Sequence, residues 1–191
     1  MTRLSAAAIA ALLCAGSAFA QAPAATGSSS SGSGTTSGTG ANAKVARADS
    51  KMMTDLAEAN IAEIETGKLA LDKTKNDQIK TFAQQMIDDH TSAQKDLQTL
   101  AQSKGVKLPA GTDLEHKAMA TALKALSGNT FDNQYVKRAG VGDHERTIKL
   151  LQKVQKDGLD ADMKALAAKM LPTVQQHLQM AQQLAAASAK K

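Results

Sequence analysis

From residue 44 onward, apolar residues recur at three- and four-residue intervals, the period of an α-helix with one buried face. No stretch alternates apolar and polar residues as a half-buried strand would. The first stripe, Met53, Leu56, Asn60, Ile64, Gly67 and Leu71, predicts a helix over about 46–74. The second, Ile79, Phe82, Ala83, Met86, His90, Ala93, Leu97 and Leu100, opens after Asn76, a good N-cap, and stops near Gly105. A loop through Pro109 leads to Thr112-x-x-Glu115, a capping-box pattern that opens a short helix ending at Gly128. Thr130 is placed to cap a third long helix ending at Gly158, and Asp160 to cap the last. That last stripe is Met163, Leu166, Met170, Val174, His177, Ala181 and Leu184. Four long amphipathic helices with one short connecting helix over 44–191 predict an all-α fold, a four-helix bundle.

Two helices carry irregularities. In the third, Phe131, Tyr135 and Ala139 make one face, while Val141, His144, Ile148 and Leu151 make another, with Gly140 and Gly142 where the phase changes. Each glycine costs a helix interior roughly 1 kcal/mol. Close packing and room for a ligand both remain open for this pair, whereas Gly67 reads as close packing. Pro172, five residues before His177, predicts a bend in the last helix.

The N-terminal part has a different character. Arg3, the apolar run from Ala6 to Leu13 and the small-x-small site Ala18-Phe19-Ala20 predict a cleaved export leader over 1–20. The chain is therefore expected to be periplasmic or secreted. The apolar run is too short to span a membrane, and no later segment qualifies. Cys14 lies within the leader and follows Leu13 where lipid attachment wants a small residue, so the exported chain is expected to carry no cysteine. That excludes disulfides, thiolate metal sites and cysteine nucleophiles. Residues 21–43 are uncharged and rich in Ser, Gly, Thr and Ala, which predicts a disordered tether. The net charge of +5 includes Arg3 in the leader and the terminal Lys190-Lys191. A nucleic-acid binder would interleave a basic stripe with aromatics, and only Phe82, Phe131 and Tyr135 follow the tether. Nucleic acid is not an expected partner. The residues identify no partner; another envelope protein and a second copy of the chain are the candidates.

The candidate chemistry lies in the stripes themselves. His90, His144 and His177 each sit near the middle of a different long helix. Asp89 and Asp143 directly precede two of them. Adjacent residues point about 100° apart on a helix, so neither aspartate easily bonds its own neighbour. Each stands at the stripe's edge, where it can orient an imidazole from the next helix. Glu63 lies at the edge of the first stripe and is a candidate fourth ligand, and Asn60 and Tyr135 are further hydrogen-bond partners. Imidazole suits transition metals, and Zn, Cu, Fe and Mn are the candidate ions. Met86 and Met180 share a face with His90 and His177, which admits a copper or haem reading, although methionine at stripe spacing usually fills core. The competing reading is a hydrogen-bonded layer that only fixes helix register. His116, between Glu115 and Lys117 on the short helix, reads as a surface residue. No nucleophile or phosphate-binding loop stands out, so the residues favour a non-enzymatic protein.

Five segments occur in order: Glu63-Ile64-Glu65-x-Gly67-Lys68-Leu69-Ala70, Asp89-His90-Thr91, Phe131-Asp132-x-x-Tyr135, Asp143-His144 and Leu171-Pro172-x-x-x-x-His177-Leu178. Together, over about 48–185, they resemble the bacterial family called domain of unknown function 4142. The resemblance implies an exported, ferritin-like four-helix bundle and no established activity. Ferritin-like di-iron sites draw Glu-x-x-His from two helices. Here Ile87, Val141 and Val174 stand three residues before the histidines, which argues against a di-iron oxidase or ferroxidase.

Overall fold

The computed structural model describes residues 45–188. The expected leader and most of the expected tether lie outside the described residues. Six α-helices and one π-helical segment follow in order: α1 (Arg47–Lys73), α2 (Asp77–Ser103), α3 (Leu114–Lys124), α4 (Gly128–Tyr135), the π segment (Val136–Asp143), α5 (His144–Asp157) and α6 (Ala161–Ser188). The stretch from α4 through α5 is the third long rod, so the all-α plan of four long helices and one short connector stands. Among the described residues there is no strand, and no helix is long and apolar enough to cross a membrane.

Most helix ends follow from local chemistry. Asn76 accepts from the backbone N–H groups of Gln78 and Ile79, and Asp160 from that of Met163 at 2.9 Å. Gly105, at φ 67°, ends the α2 turn in the left-handed region. Two expected caps are different. Asp113, not Thr112, caps α3 by accepting from the His116 N–H at 2.9 Å. The Thr112 hydroxyl instead donates to the Glu58 carbonyl on α1, and Glu115 pairs with Arg146 rather than closing a capping box. The helix expected to be capped by Thr130 starts three residues earlier, with Ser127 as N-cap. Asp49, buried in the first turn of α1, accepts from the backbone N–H groups of Leu159 and Asp160 and so fastens the start of α6 to α1. Lys104 adds ion pairs to Asp160 and Asp162 at 2.7 and 2.6 Å.

The phase change in the third rod is the π segment. A π turn inserts one residue into the helical period. The buried face therefore steps by four from Phe131 to Tyr135 to Ala139, by five to His144, and resumes at Thr147, Leu151 and Val154. Gly140 lets this segment lie close to α6: a Cβ there would sit 3.0 Å from the Ala181 Cβ and 3.6 Å from the Phe82 ring. Gly67 does the same between α1 and α2, where a Cβ would meet Ile87 and the Ala83 carbonyl at 3.0 and 3.1 Å. The helix α6 continues through Pro172 to Ser188.

The core is two apolar clusters. One gathers Met53, Leu56, Leu97, Leu151 and Met163; the other gathers Ile79, Phe82, Met86, Phe131 and Tyr135. Along every long rod a polar residue separates them. His90 falls between Met86 and Leu97, His144 between Ala139 and Leu151, and His177 between Val174 and Ala181. On α1, Asn60 and Glu63 fall between Ala57 and Ala70. The polar layer thus crosses the whole bundle.

Candidate metal centre

The three histidines meet in this layer. His90, His144 and His177 are 3%, 1% and 1% exposed. Their ring centroids form a nearly equilateral triangle with sides of 5.5, 5.4 and 5.4 Å. One ring nitrogen from each lies within 4.8 Å of the others. Three imidazoles binding one ion at about 2.0–2.1 Å place their nitrogens roughly 3.3–3.6 Å apart, so the rings must draw together to close on an ion.

The hydrogen bonds behind the rings decide which nitrogens are free. Nδ1 of His90 lies 3.0 Å from Oδ1 of Asn60, whose amide nitrogen donates to Gln94 at 3.3 Å. That orients Asn60 as the acceptor, so His90 carries its proton on Nδ1. Nδ1 of His144 lies 3.1 Å from the Ala139 carbonyl, which only accepts. The acceptor is five residues back, across the π segment, so the irregular backbone sets this tautomer. Nε2 of His177 donates to Oδ2 of Asp89 at 2.9 Å, the cross-helix contact expected from the wheel position of Asp89. The other nitrogens, Nε2 of His90, Nε2 of His144 and Nδ1 of His177, are buried without any hydrogen-bond partner. Each is a bare lone pair. Imidazoles that ligate metals usually show this arrangement, one nitrogen held by an outer acceptor and the other free.

Electrostatics keeps the rings neutral. Burial pushes His90 well below the usual histidine range, and His144 and His177 lower it further. Burial brings His144 down to about 4 against the opposing carbonyl bonds, and it lowers His177 despite Asp89. At neutral pH the free nitrogens therefore remain unprotonated, the form that binds metal.

The remaining expected residues are placed differently. Glu63 is buried, but it stands behind His144, with Oε1 3.4 Å from Nδ1, and is not among the converging ligand groups. Because the Ala139 carbonyl takes the only Nδ1 proton, both Glu63 oxygens lack a partner. Burial, then the Asp143 charge, holds the Glu63 carboxyl well above the usual range. Tyr135 stacks on Phe131 at 6.0 Å and bonds none of the histidines; its hydroxyl has no partner, and burial followed by the Glu63 charge raises it well above its ordinary value. Asp143 faces away from the triad toward α3, 3.3 Å from Arg146 and 3.9 Å from Nε2 of His116, with its carboxyl raised to about 6 by burial. His116 is accordingly not a free surface residue: it is half-buried and bonded to Asp113 at 2.7 Å. Met86 belongs to the apolar core, as its spacing suggested. Sequence reasoning named Asn60 only as one of several partners and missed the Ala139 carbonyl, for which no side-chain pattern gives a signal.

The family model described as "Domain of unknown function (DUF4142)" matches residues 34–184. The chain belongs to this family. No curated protein matches it. Among solved structures, the DUF4142 domain is similar to a DUF305 fragment from Deinococcus radiodurans, at 9% identity and TM-score 0.66 over 74% of this chain and 97% of that one. It is also similar to CopM in a Cu(II)-bound form, at 19% identity and TM-score 0.61 over 72% and 95% of the two chains. The Cu(I)-bound form of CopM gives 16% and 0.58 over 71% and 93%. At these identities the likeness establishes the shared helical fold.

Proposed function

We propose that this domain binds a transition-metal ion through His90, His144 and His177. The observation that carries the reading is the set of three buried lone pairs in one layer, each on an imidazole whose other nitrogen is fixed by an acceptor. A buried polar atom left without a partner costs about 1–3 kcal/mol. An ion at the shared point would satisfy all three at once. The donors are neutral nitrogens, which suit copper, zinc and iron and are poorly suited to manganese. Affinity for such a set runs highest for Cu(II), and CopM, described in copper-bound forms, has a similar fold. Copper is therefore the first ion to test. Glu63 and Asp89 act from outside, on His144 and His177. With the leader expected over 1–20, the reading is of an exported, periplasmic or secreted metal-binding protein rather than an enzyme.

A second reading has its own observation. The polar layer separates two apolar clusters, so the outward hydrogen bonds of the histidines could serve helix register alone in an envelope interaction module. Thermal unfolding of the metal-stripped protein with Cu(II), Zn(II), Fe(II) and Mn(II) separates the two. At a hundredfold excess over Kd, a bound ion stabilises by about 2.7 kcal/mol, a rise in Tm of about 5–10 °C. Copper and zinc should give such a rise, and it should vanish in the H90Q/H144Q/H177Q variant. A melting temperature indifferent to all four ions, or a shift that survives the triple substitution, overturns the metal reading.

A further inference from the structure

An ion bound to the triad must pass between packed helices to reach it. One cleft, of about 130 Å³ between α2 and α6, has His90 and His177 in its wall. Four other clefts in the described residues carry none of the three histidines. The cleft has room for about four waters at roughly 30 Å³ each, enough for a partly hydrated ion. Its two acidic residues are Asp89 and Asp96. Asp89 is 39% exposed at its side chain while one of its oxygens holds Nε2 of His177. Asp96, on α2, pairs with Lys169 on α6 at 2.7 Å, and exposed pairs of this kind are weak and part readily.

We infer that this cleft is the port through which a divalent cation enters and leaves the triad, with Asp89 as the first ligand it meets. The inference rests on the metal reading above. Two independent features support it: a carboxylate reaches both solvent and a triad histidine, and the cleft wall contains two nearly fully buried imidazoles that each have an unpartnered nitrogen. A cation held at Asp89 would shed water stepwise as imidazole nitrogens replace it. The carboxylate of Asp89 would remain hydrogen-bonded to His177 and keep that ring aimed inward.

The test is the rate of Co(II) uptake by the full-length, metal-stripped protein, followed by stopped-flow visible absorption, with release measured by adding a chelator. Thr173, exposed at the rim, is replaced by tryptophan to plug the cleft. Thr81→Trp, in a separate cleft between the same two helices, is the control. Uptake and release should both slow about tenfold or more in Thr173→Trp with Kd unchanged, while Thr81→Trp keeps the wild-type rates. Asp96→Asn should slow uptake at low salt about tenfold, an effect that fades as ionic strength rises. Should Thr173→Trp misfold by circular dichroism, Ser92→Trp plugs the same rim from α2. Wild-type rates in the plugged variant, or equal slowing in the control, overturn the port while the metal site stands. Should the wild type bind Cu(II) but not Co(II), the same rates are read with Cu(II); binding of neither is a different result and overturns both.

Discussion

Replacing Glu63 with methionine should stabilise the metal-free protein. Glu63 is 2% exposed, and neither carboxyl oxygen has a hydrogen-bond partner. The approach to His144 at 3.4 Å has the length of an ion pair, but the imidazole is neutral and its proton belongs to Ala139. The approach therefore contributes little until His144 gains positive character. Methionine is unbranched and adaptable, so it can occupy the same space without polar atoms. Removing an unsatisfied buried carboxyl should give about 1–3 kcal/mol, or about 3–10 °C in Tm for a domain of this size. The gain has a pH signature. Because the folded-state carboxyl is held well above 4.5, its stabilising contribution is complete at low pH and is lost as pH rises through the folded value. The advantage of Glu63→Met should accordingly grow from acid to neutral pH. Metal bound at Nε2 of His144 would bring positive charge next to the Glu63 carboxyl, 3.4 Å from Nδ1, and favour its ionised form, so the same substitution should weaken Cu(II) affinity by about 10–100-fold. Urea unfolding of the stripped protein at several pH values, paired with a copper titration, measures both. A variant less stable than wild type by more than about 1 kcal/mol would mean that Glu63 is satisfied in the metal-free fold, and the reasoning fails.

Gly140→Ala should destabilise by about 1–3 kcal/mol through its clash with Ala181. Ala181→Gly in the same chain should recover part of that loss in a double-mutant cycle, and strictly additive effects would contradict the steric account. Asp49→Ala leaves the N–H groups of Leu159 and Asp160 without their acceptor and should cost about 1–3 kcal/mol in chemical denaturation. In the metal-free protein His144 is held at about 4 instead of 6.5, so the unfolded chain takes up its proton first as pH falls. Stability from this group is lost between those values, by about 3 kcal/mol. Asp143, raised to about 6 from 3.8, opposes this, since its contribution is lost as pH rises across that interval. Asp143→Asn should therefore steepen the acid loss of stability, and an unchanged slope in denaturation at pH values across this range would contradict the burial of Asp143.

The helices and the histidine layer were legible in the sequence because both follow from periodicity. His90, His144 and His177 stand inside apolar stripes, and packing those stripes together forces the imidazoles into one layer. Asp89 was legible for the same reason: a stripe-edge residue faces the neighbouring helix, here α6. What periodicity does not encode is backbone detail. The break between Ala139 and His144 showed only as a phase change, and one inserted residue accounts for it once the π segment is seen. The acceptor that fixes His144 is a carbonyl, which no residue type announces. Asp143 resembled Asp89 in sequence, yet the altered turn directs it toward His116 and Arg146. Glu63 looked like an edge residue because Ile64 and Leu71 drew the α1 stripe toward themselves. In the fold those two are half-buried, while Asn60, Glu63 and Ala70 lie inside. The caps at Thr112 and Thr130 failed because the next residue, Asp113, and one three residues earlier, Ser127, took the N-cap positions.

The most direct test of the central claim is X-ray absorption of the protein loaded with one equivalent of copper, read for the number of imidazole ligands. The predicted result is three histidine nitrogens at about 2.0 Å, falling to two when His90, His144 or His177 is replaced singly. Copper with fewer than three imidazoles in the wild type, or a spectrum unchanged by the substitutions, would place the ion elsewhere and contradict the account.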